Sequence, residues 1–266
     1  MVTGRVSARD SAFRPSREHR RIVFLTGAGL SARAGLPTFR GEDGLWAVHP
    51  ELERAMHASA LPDCIPDLWR VWPGMYAAAQ RTGPTPGHRA IARMGAAVIT
   101  QNVDGLHQAA GSHDVAELHG DAGRAACLGP DCTWSTKLAP GDGERAEDHG
   151  APSLCPSCGA PTRPDVVLFD EMLPADALER AERLAREADL FVAVGTSGVV
   201  FPAAQLAPTA RRAGARTVLL DVNPEDPVSA RAQFDEVITG DAHDVLPQWE
   251  RALNGVRSST FLDPFD

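Results

Sequence analysis

The chain has 266 residues, 43% of them hydrophobic, enough for one large α/β domain or for a large domain carrying a smaller one. A formal charge of −9 argues against nucleic acid or an anionic membrane as the main partner, because both select basic surfaces. No apolar run approaches the roughly 20 residues needed to span a bilayer, and IVFLTGAGL, behind the arginine-rich N-terminus, is too short and glycine-broken for a signal peptide, so a soluble, cytoplasmic monomer is expected.

Residues 1–20 mix Arg, Ser and Pro without periodicity and predict a loose tail. Order begins near Arg21, where RIVFLTGAG is a β-branched run ended by glycines, the pattern of a buried parallel strand entering a phosphate-binding turn. Similar runs follow at AAVITQN (96–102), DLFVAVGTS (189–197), TVLLDVNP (217–224) and EVITGDA (236–242). Each ends in small or polar residues, and in open parallel sheets the ligand lies beyond the carboxyl ends of the strands. Helical spacing between them is clearest at 175–188, with Leu178, Ala181, Leu184, Ala185 and Ala188 on one face. The alternation predicts a Rossmann-like parallel sheet with helices on both faces, built from 21–43, 85–120 and 163–254. Two stretches interrupt it: 44–84, rich in Trp, Pro and Met and helical in pattern, and 121–162, which holds four of the five cysteines. Together they predict a smaller domain, and 255–266 a C-terminal tail.

Those four cysteines, Cys127, Cys132, Cys155 and Cys158, form C-x4-C, a long gap, then C-x2-C. Two close thiolate pairs can close a tetrahedral zinc site, and four thiolates leave the ion no open position, so the expected zinc is structural; the alternative is four reduced, metal-free thiols. Cys64, left over, reads as a small buried residue. In the loop after the first strand, Gly27 and Gly29 would let backbone approach a pyrophosphate, but Ala32 stands where the dinucleotide fingerprint has its third glycine. Pro37 then stiffens GLPTFRGEDGLW into a covering loop instead of a continuing helix, with Phe39 and Arg40 placed to press on a cofactor.

The stretch GAGLSARAGLPTFRGEDGLW resembles the signature of the sirtuins, NAD-dependent protein lysine deacylases, and QNVDGLH (101–107), ELHG (117–120), RPDVVLFDEMLP (163–174) and VGTSGVVFPAA (194–204) follow in family order. The resemblance spans about Arg21 to Trp249. It implies NAD as co-substrate, held by the loop residues Gly27, Ala28, Gly29, Ser31, Phe39, Arg40 and Trp46. At the far end Gly195, Thr196 and Ser197 with Asn223, Pro224, Glu225 and Ala242 would hold the adenosine half; capping of a helix by Ser197 is compatible with that. Gln101 would bond a ribose hydroxyl, while Asn102, Val103 and Asp104 would line the nicotinamide pocket, Asp104 accepting from the carboxamide; read without the family, Asp104 could simply cap a helix. His119 corresponds to the catalytic base, although a lone histidine is more often structural, and an imidazole with an ordinary pKa near 6.5 suits the task.

The implied reaction starts with attack of the acyl oxygen on C1′ of the ribose as nicotinamide leaves, giving an alkylimidate. His119 then deprotonates a ribose hydroxyl that attacks the imidate carbon, and water completes the release of lysine and O-acyl-ADP-ribose. The substrate is an acylated protein lysine, met by Val166, Val167 and Phe169 of an apolar strand edge that an extended peptide would join. Asp170 stands where family members usually have glycine, which would alter the peptide's approach, favour basic flanking residues, or merely point to water. Sirtuins that prefer malonyl or succinyl lysine carry a Tyr-x-x-Arg pair in the helical insertion; counting back from GHRAI (87–91) puts Trp72 and Met75 at those positions. Neither can hold a carboxylate, so acetyl or a longer uncharged acyl group is expected, although Trp69, Trp72 and Met75 are also spaced as a plain core face. The rival readings are a protein ADP-ribosyltransferase, a non-catalytic NAD-sensing module and a zinc-ribbon nucleic-acid binder; the set Asn102, Asp104 and His119 disfavours the first two, the acidic charge the third.

Overall fold

The computed structural model describes residues 6–7, 13–36, 38, 44–139, 154–196, 201–222 and 232–255. Its strands, in chain order, are β1 (Val6–Ser7), β2 (Ile22–Thr26), β3 (Ala97–Thr100), β4 (Val115–Glu117), β5 (Gly120–Cys127), β6 (Ser135–Lys137), β7 (Thr162–Val166), β8 (Leu190–Val194), β9 (Arg216–Asp221) and β10 (Glu236–Thr239). Seven of them form one sheet in the order β1-β10-β9-β8-β2-β3-β4, and every neighbouring pair is parallel. From β2 the chain winds outward through β3 to β4, then returns to β8 on the other side and winds out to β10. Without the two-residue β1 this is the doubly wound dinucleotide-binding order, and its reversal opens a crevice at the carboxyl ends of β2 and β8.

The strands are buried on both faces because alternate residues feed two cores. Val23, Leu25, Phe191 and Ala193 point to one side, Ile22, Phe24, Leu190 and Val192 to the other. Phe24 and Phe191 are fully enclosed, each contributing about 2–3 kcal/mol of burial free energy.

Eight α-helices are described: α1 (Leu45–Val48), α2 (Pro50–Ala55), α3 (Ile65–Thr82), α4 (Pro86–Met94), α5 (Leu106–Ala109), α6 (Ala175–Glu187), α7 (Leu206–Arg212) and α8 (Ala242–Asn254). Alanines of α6 and α7, Ala181, Ala185, Ala207 and Ala210, let those helices sit close to the first face, while Ile91 of α4 and Val245, Leu246 and Trp249 of α8 cover the second. Thr85 caps α4 through a capping box with His88, and Pro86 opens it, so the sequence sets that helix start locally.

The two interruptions pack together. Met56, Cys64, Leu68 and Trp72 from the α2–α3 region bury against Ala122 of the other stretch and against Val166 and Leu168 just beyond it, and β6-β5-β7 form a separate antiparallel sheet there, so the small domain reaches past residue 162. The predicted strands and the 175–188 helix occur where expected, each trimmed at its ends. β4 and the small sheet were not expected. Where a loose tail was predicted at 1–20, its described part is packed: β1 pairs with β10, and the ring of Phe13 lies edge-on to Trp249 at 5.7 Å beneath the Arg216 guanidinium. None of the helices described is long and apolar enough to cross a membrane.

Candidate active site

The crevice is floored by bare backbone. Gly27 N donates to Val194 O at 3.1 Å and Gly29 N to Gly195 O at 3.0 Å, stitching the loop after β2 to the loop after β8. A Cβ on Gly27 would lie 2.7 Å from Gly195 O, one on Gly29 2.8 Å from Gly195 Cα, so the need for glycine comes from this loop-to-loop approach. The chain next makes two 3₁₀ turns, Ala28–Leu30 and Ala32–Ala34, instead of a long helix.

The end of β3 delivers the polar residues. Gln101 N donates to Thr26 O, and its side-chain Nε2 reaches Thr196 Oγ1 at 2.8 Å, bridging the outer strand to the β8 loop. Asn102 turns inward, its Nδ2 donating to Gly27 O at 3.0 Å and to Ser31 Oγ at 3.1 Å. Ser31 in turn donates to Asp104 Oδ2 at 2.6 Å, and Asp104 Oδ1 accepts from Leu106 N at 2.9 Å. Asp104 therefore satisfies the first amide of α5 from the residue before its N-cap, Gly105, and belongs to the cleft at once. Burial raises its pKa, against the lowering effect of the Ser31 and Leu106 bonds.

His119 sits in the turn between β4 and β5. Its Nδ1 lies 3.0 Å from Gln101 O; a carbonyl only accepts, so Nδ1 carries the proton and Nε2 keeps its lone pair. Burial lowers its pKa, with the Gln101 bond pulling the other way, and the ring is neutral at cellular pH. The peptide carbonyl of His119 accepts from Val167 N at 2.9 Å, which fastens the 167–170 segment beside the imidazole.

Ser31, Asn102 and Asp104 form the polar end of a cavity whose other walls are Ala28, Leu36, Trp72, Met75, Tyr76, Val103 and Ala122. Sequence reasoning found Ala28, Ser31, Trp72, Met75, Asn102, Val103 and Asp104; it missed Leu36, Tyr76 and Ala122. Tyr76 was discoverable, standing four residues after Trp72 on the same helical face. Among the described residues no arginine lines the cavity, and Arg70 is paired outside it with Asp67 at 2.7 Å.

On the acyl-lysine side, Val167 and Phe169 are half-buried, and Val166, the last residue of β7, is 3% exposed with its side chain in the insertion's core, so only its backbone can meet a peptide. Asp170 is exposed, and its Oδ2 also lies 2.9 Å from His57 Nδ1. Ala242, half-buried, opens α8 beyond the end of β10, at the same edge of the sheet as Gly195 and Thr196. Phe39, Arg40, Ser197, Asn223, Pro224 and Glu225, and the side chain of Trp46, lie outside the described residues.

The four cysteines converge, their sulfurs all within 4.8 Å of one another, with Cys127 to Cys158 at 3.4 Å and Cys132 to Cys155 at 3.8 Å. A tetrahedral ion with bonds of about 2.3 Å needs sulfurs about 3.8 Å apart, so the donor set fits zinc. Gly129 N donates to Cys127 Sγ at 3.1 Å, the kind of bond that steadies a thiolate.

The model of the Sir2 family matches residues 27–202, a span that contains the glycine loop, the Asn102–Asp104 turn, His119 and all four cysteines. The chain belongs to the Sir2 family. Two Pyrobaculum aerophilum proteins are similar along almost their whole length: NAD-dependent protein deacylase 2, 42% identical over 92% of this chain and 96% of its own, and NAD-dependent protein deacetylase 1, 41% identical over 88% and 90%. A solved Sir2 homologue in complex with NAD superposes with a TM-score of 0.79, at 34% identity, covering 91% of this chain and 92% of that one. As a Sir2 protein the chain has the family's Rossmann-like sheet with its smaller domain.

Proposed function

We propose that this Sir2 protein removes an acyl group, acetyl above all, from lysine in protein substrates, consuming NAD and releasing nicotinamide and O-acyl-ADP-ribose. One observation carries the reading: Asn102, Asp104 and Ser31 close a hydrogen-bonded ring onto Gly27, and Gln101, their neighbour in the chain, orients His119 with a free Nε2. The matched relatives' names and the NAD-bound homologue support it.

When bound, NAD supplies an electrophilic anomeric carbon with a neutral leaving group. Gly27, Gly29, Gly195 and Thr196 receive its phosphate and adenosine portions along the strand ends, and Gln101 a ribose hydroxyl. Asn102 and Asp104, at the polar end of the cavity, would hold the carboxamide. His119 Nε2 takes a proton from a ribose hydroxyl; the lowered pKa keeps it available for that. Val167 and Phe169 offer an extended edge to the peptide. The apolar wall of Trp72, Met75 and Tyr76 receives an uncharged acyl chain and rejects an acyl carboxylate, which would be desolvated without a partner. Cys127, Cys132, Cys155 and Cys158 hold a structural zinc.

The test is His119→Ala assayed with an acetyl-lysine peptide, following nicotinamide release and the mass of the nucleotide product. Turnover should fall at least a hundredfold, the size of a lost general base, while NAD affinity stays within a few-fold. A product with ADP-ribose on a protein side chain, or equal loss of NAD binding, would refute the assignment.

A further inference from the structure

The helical insertion reaches the nicotinamide end of the cleft through Gln80 and Tyr76, side chains one turn apart on α3 to which the reaction above assigns no step at Asp104. We propose that Gln80 and Tyr76 are positioning residues for Asp104, so that α3 sets how firmly the departing nicotinamide is held; this rests on the reading that Asp104 binds the carboxamide.

Both carboxylate oxygens of Asp104 are engaged from the main domain, by Ser31 and by Leu106 N. Its peptide carbonyl faces the other way, and Gln80 Nε2 donates to it at 2.6 Å. The next residue, Gly105, takes the left-handed φ of +70, and a Cβ there would lie 3.2 Å from both Gln80 Nε2 and Tyr76 Cε2. A Cβ on Gly123 would also collide with Tyr76 Cζ. The ring thus packs closely on two side-chain-free backbone segments, one of them the turn that aims Asp104, and it lines the cavity together with that residue. A shift of α3 must therefore displace the Asp104–Gly105 peptide. Trp72 and Met75, on the same helix, wall the acyl compartment, so an acyl chain pressing on α3 and a nicotinamide held by Asp104 act on one rigid element.

Gln80→Met keeps length and removes the donor. In the full-length enzyme with NAD and an acetyl-lysine peptide, it should raise the nicotinamide inhibition constant about three- to fivefold, the size of one hydrogen bond, with kcat lowered and Tm unchanged. Asp104→Asn is measured alongside. If Asp104→Asn raises the nicotinamide constant and Gln80→Met does not, the clamp is overturned and the Asp104 reading stands. If neither moves it, the Asp104 reading has failed and the inference falls with it. If Tm falls in step with the nicotinamide constant in Gln80→Met, the residue serves only the fold, and the inference is equally overturned.

Discussion

A side chain held at φ +69 carries a cost that glycine escapes, about 1 kcal/mol, and Asp170 bears it. Its bond to His57 recovers only part, since the two side chains are 71% and 40% exposed and an exposed pair contributes about 0.2–1 kcal/mol. Asp170→Gly should therefore leave Tm within about 2 °C of the parent, whereas Asp170→Val, branched at Cβ and without the carboxylate, should cost about 1–2 kcal/mol in thermal melts. A glycine variant that melts more than 5 °C lower would show that the His57 contact outweighs the backbone. That Asp170 occupies a glycine position was legible from the motif; that its partner is 113 residues earlier in the chain was not, because His57 is one of nine histidines with no local signal. His119 shows the same division. Its place in ELHG marked it, but its tautomer depends on the Gln101 carbonyl, a fact of tertiary structure.

Between the sheet and helices α4, α5 and α8 lie three histidines: His88, His107 and His243. His107 Nε2 meets Thr26 Oγ1 at 2.9 Å, and the rings of His88 and His107 stack edge to face at 4.7 Å. Among the described residues His107 Nδ1 is buried without a hydrogen-bond partner, so protonating that ring would strand a donor, while His88 Nδ1 accepts from Thr85 N and would lose that bond on protonation. Burial lowers all three pKa values, that of His107 to about 3; the charges of His107, His243 and Arg89 push His88 the same way, while around His243 Arg33 lowers and Asp241 and Asp244 raise. Below pH 6.5 the unfolded chain binds protons that the folded chain refuses, so stability falls as pH falls, by about 2 kcal/mol at pH 5 for His107 alone. Asp104, Glu117 and Asp121, raised by burial, act oppositely above their ordinary carboxylate range. The comparison is thus between the wild type and His107→Gln. The gap in unfolding free energy should close by about 2 kcal/mol from pH 7 to pH 5, and a gap that stays constant would remove His107 from the account. At this scale the sequence announces what is uniform: β2 and β8 are unbroken apolar runs and were read at once. β4 has three residues, and β5, GDAGRAAC, is built of small residues with no β-branched member, so neither carries a strand pattern.

Seen whole, the cysteine cluster and the His119 imidazole sit at opposite ends of one pair of strands. β5 starts directly after His119 and ends on Cys127; β7 begins four residues past Cys158 and ends at Val166, whose neighbour Val167 donates to the carbonyl of His119. α3 packs on the same small sheet through Leu68 and Trp72 and carries Gln80 and Tyr76 to the cleft. The main sheet has two cores of its own, separate from the cluster that joins α3 to the small sheet. Cys155 is 2% exposed, and its loss leaves three thiolates around an ion that binds as a closed set of four. Cys155→Ser should therefore lose zinc and melt in two steps, the first belonging to the small domain. Deacylation should fall at least tenfold, because both the peptide edge at Val167 and the α3 wall depend on the small sheet. Parallel-sheet circular dichroism should survive the first step, since the seven-stranded sheet lies outside it. Metal analysis, a thermal scan and a turnover assay on the same sample decide the matter: full activity with no bound zinc would mean that the small sheet holds its shape without the ion, and that the four sulfurs meet for some other reason.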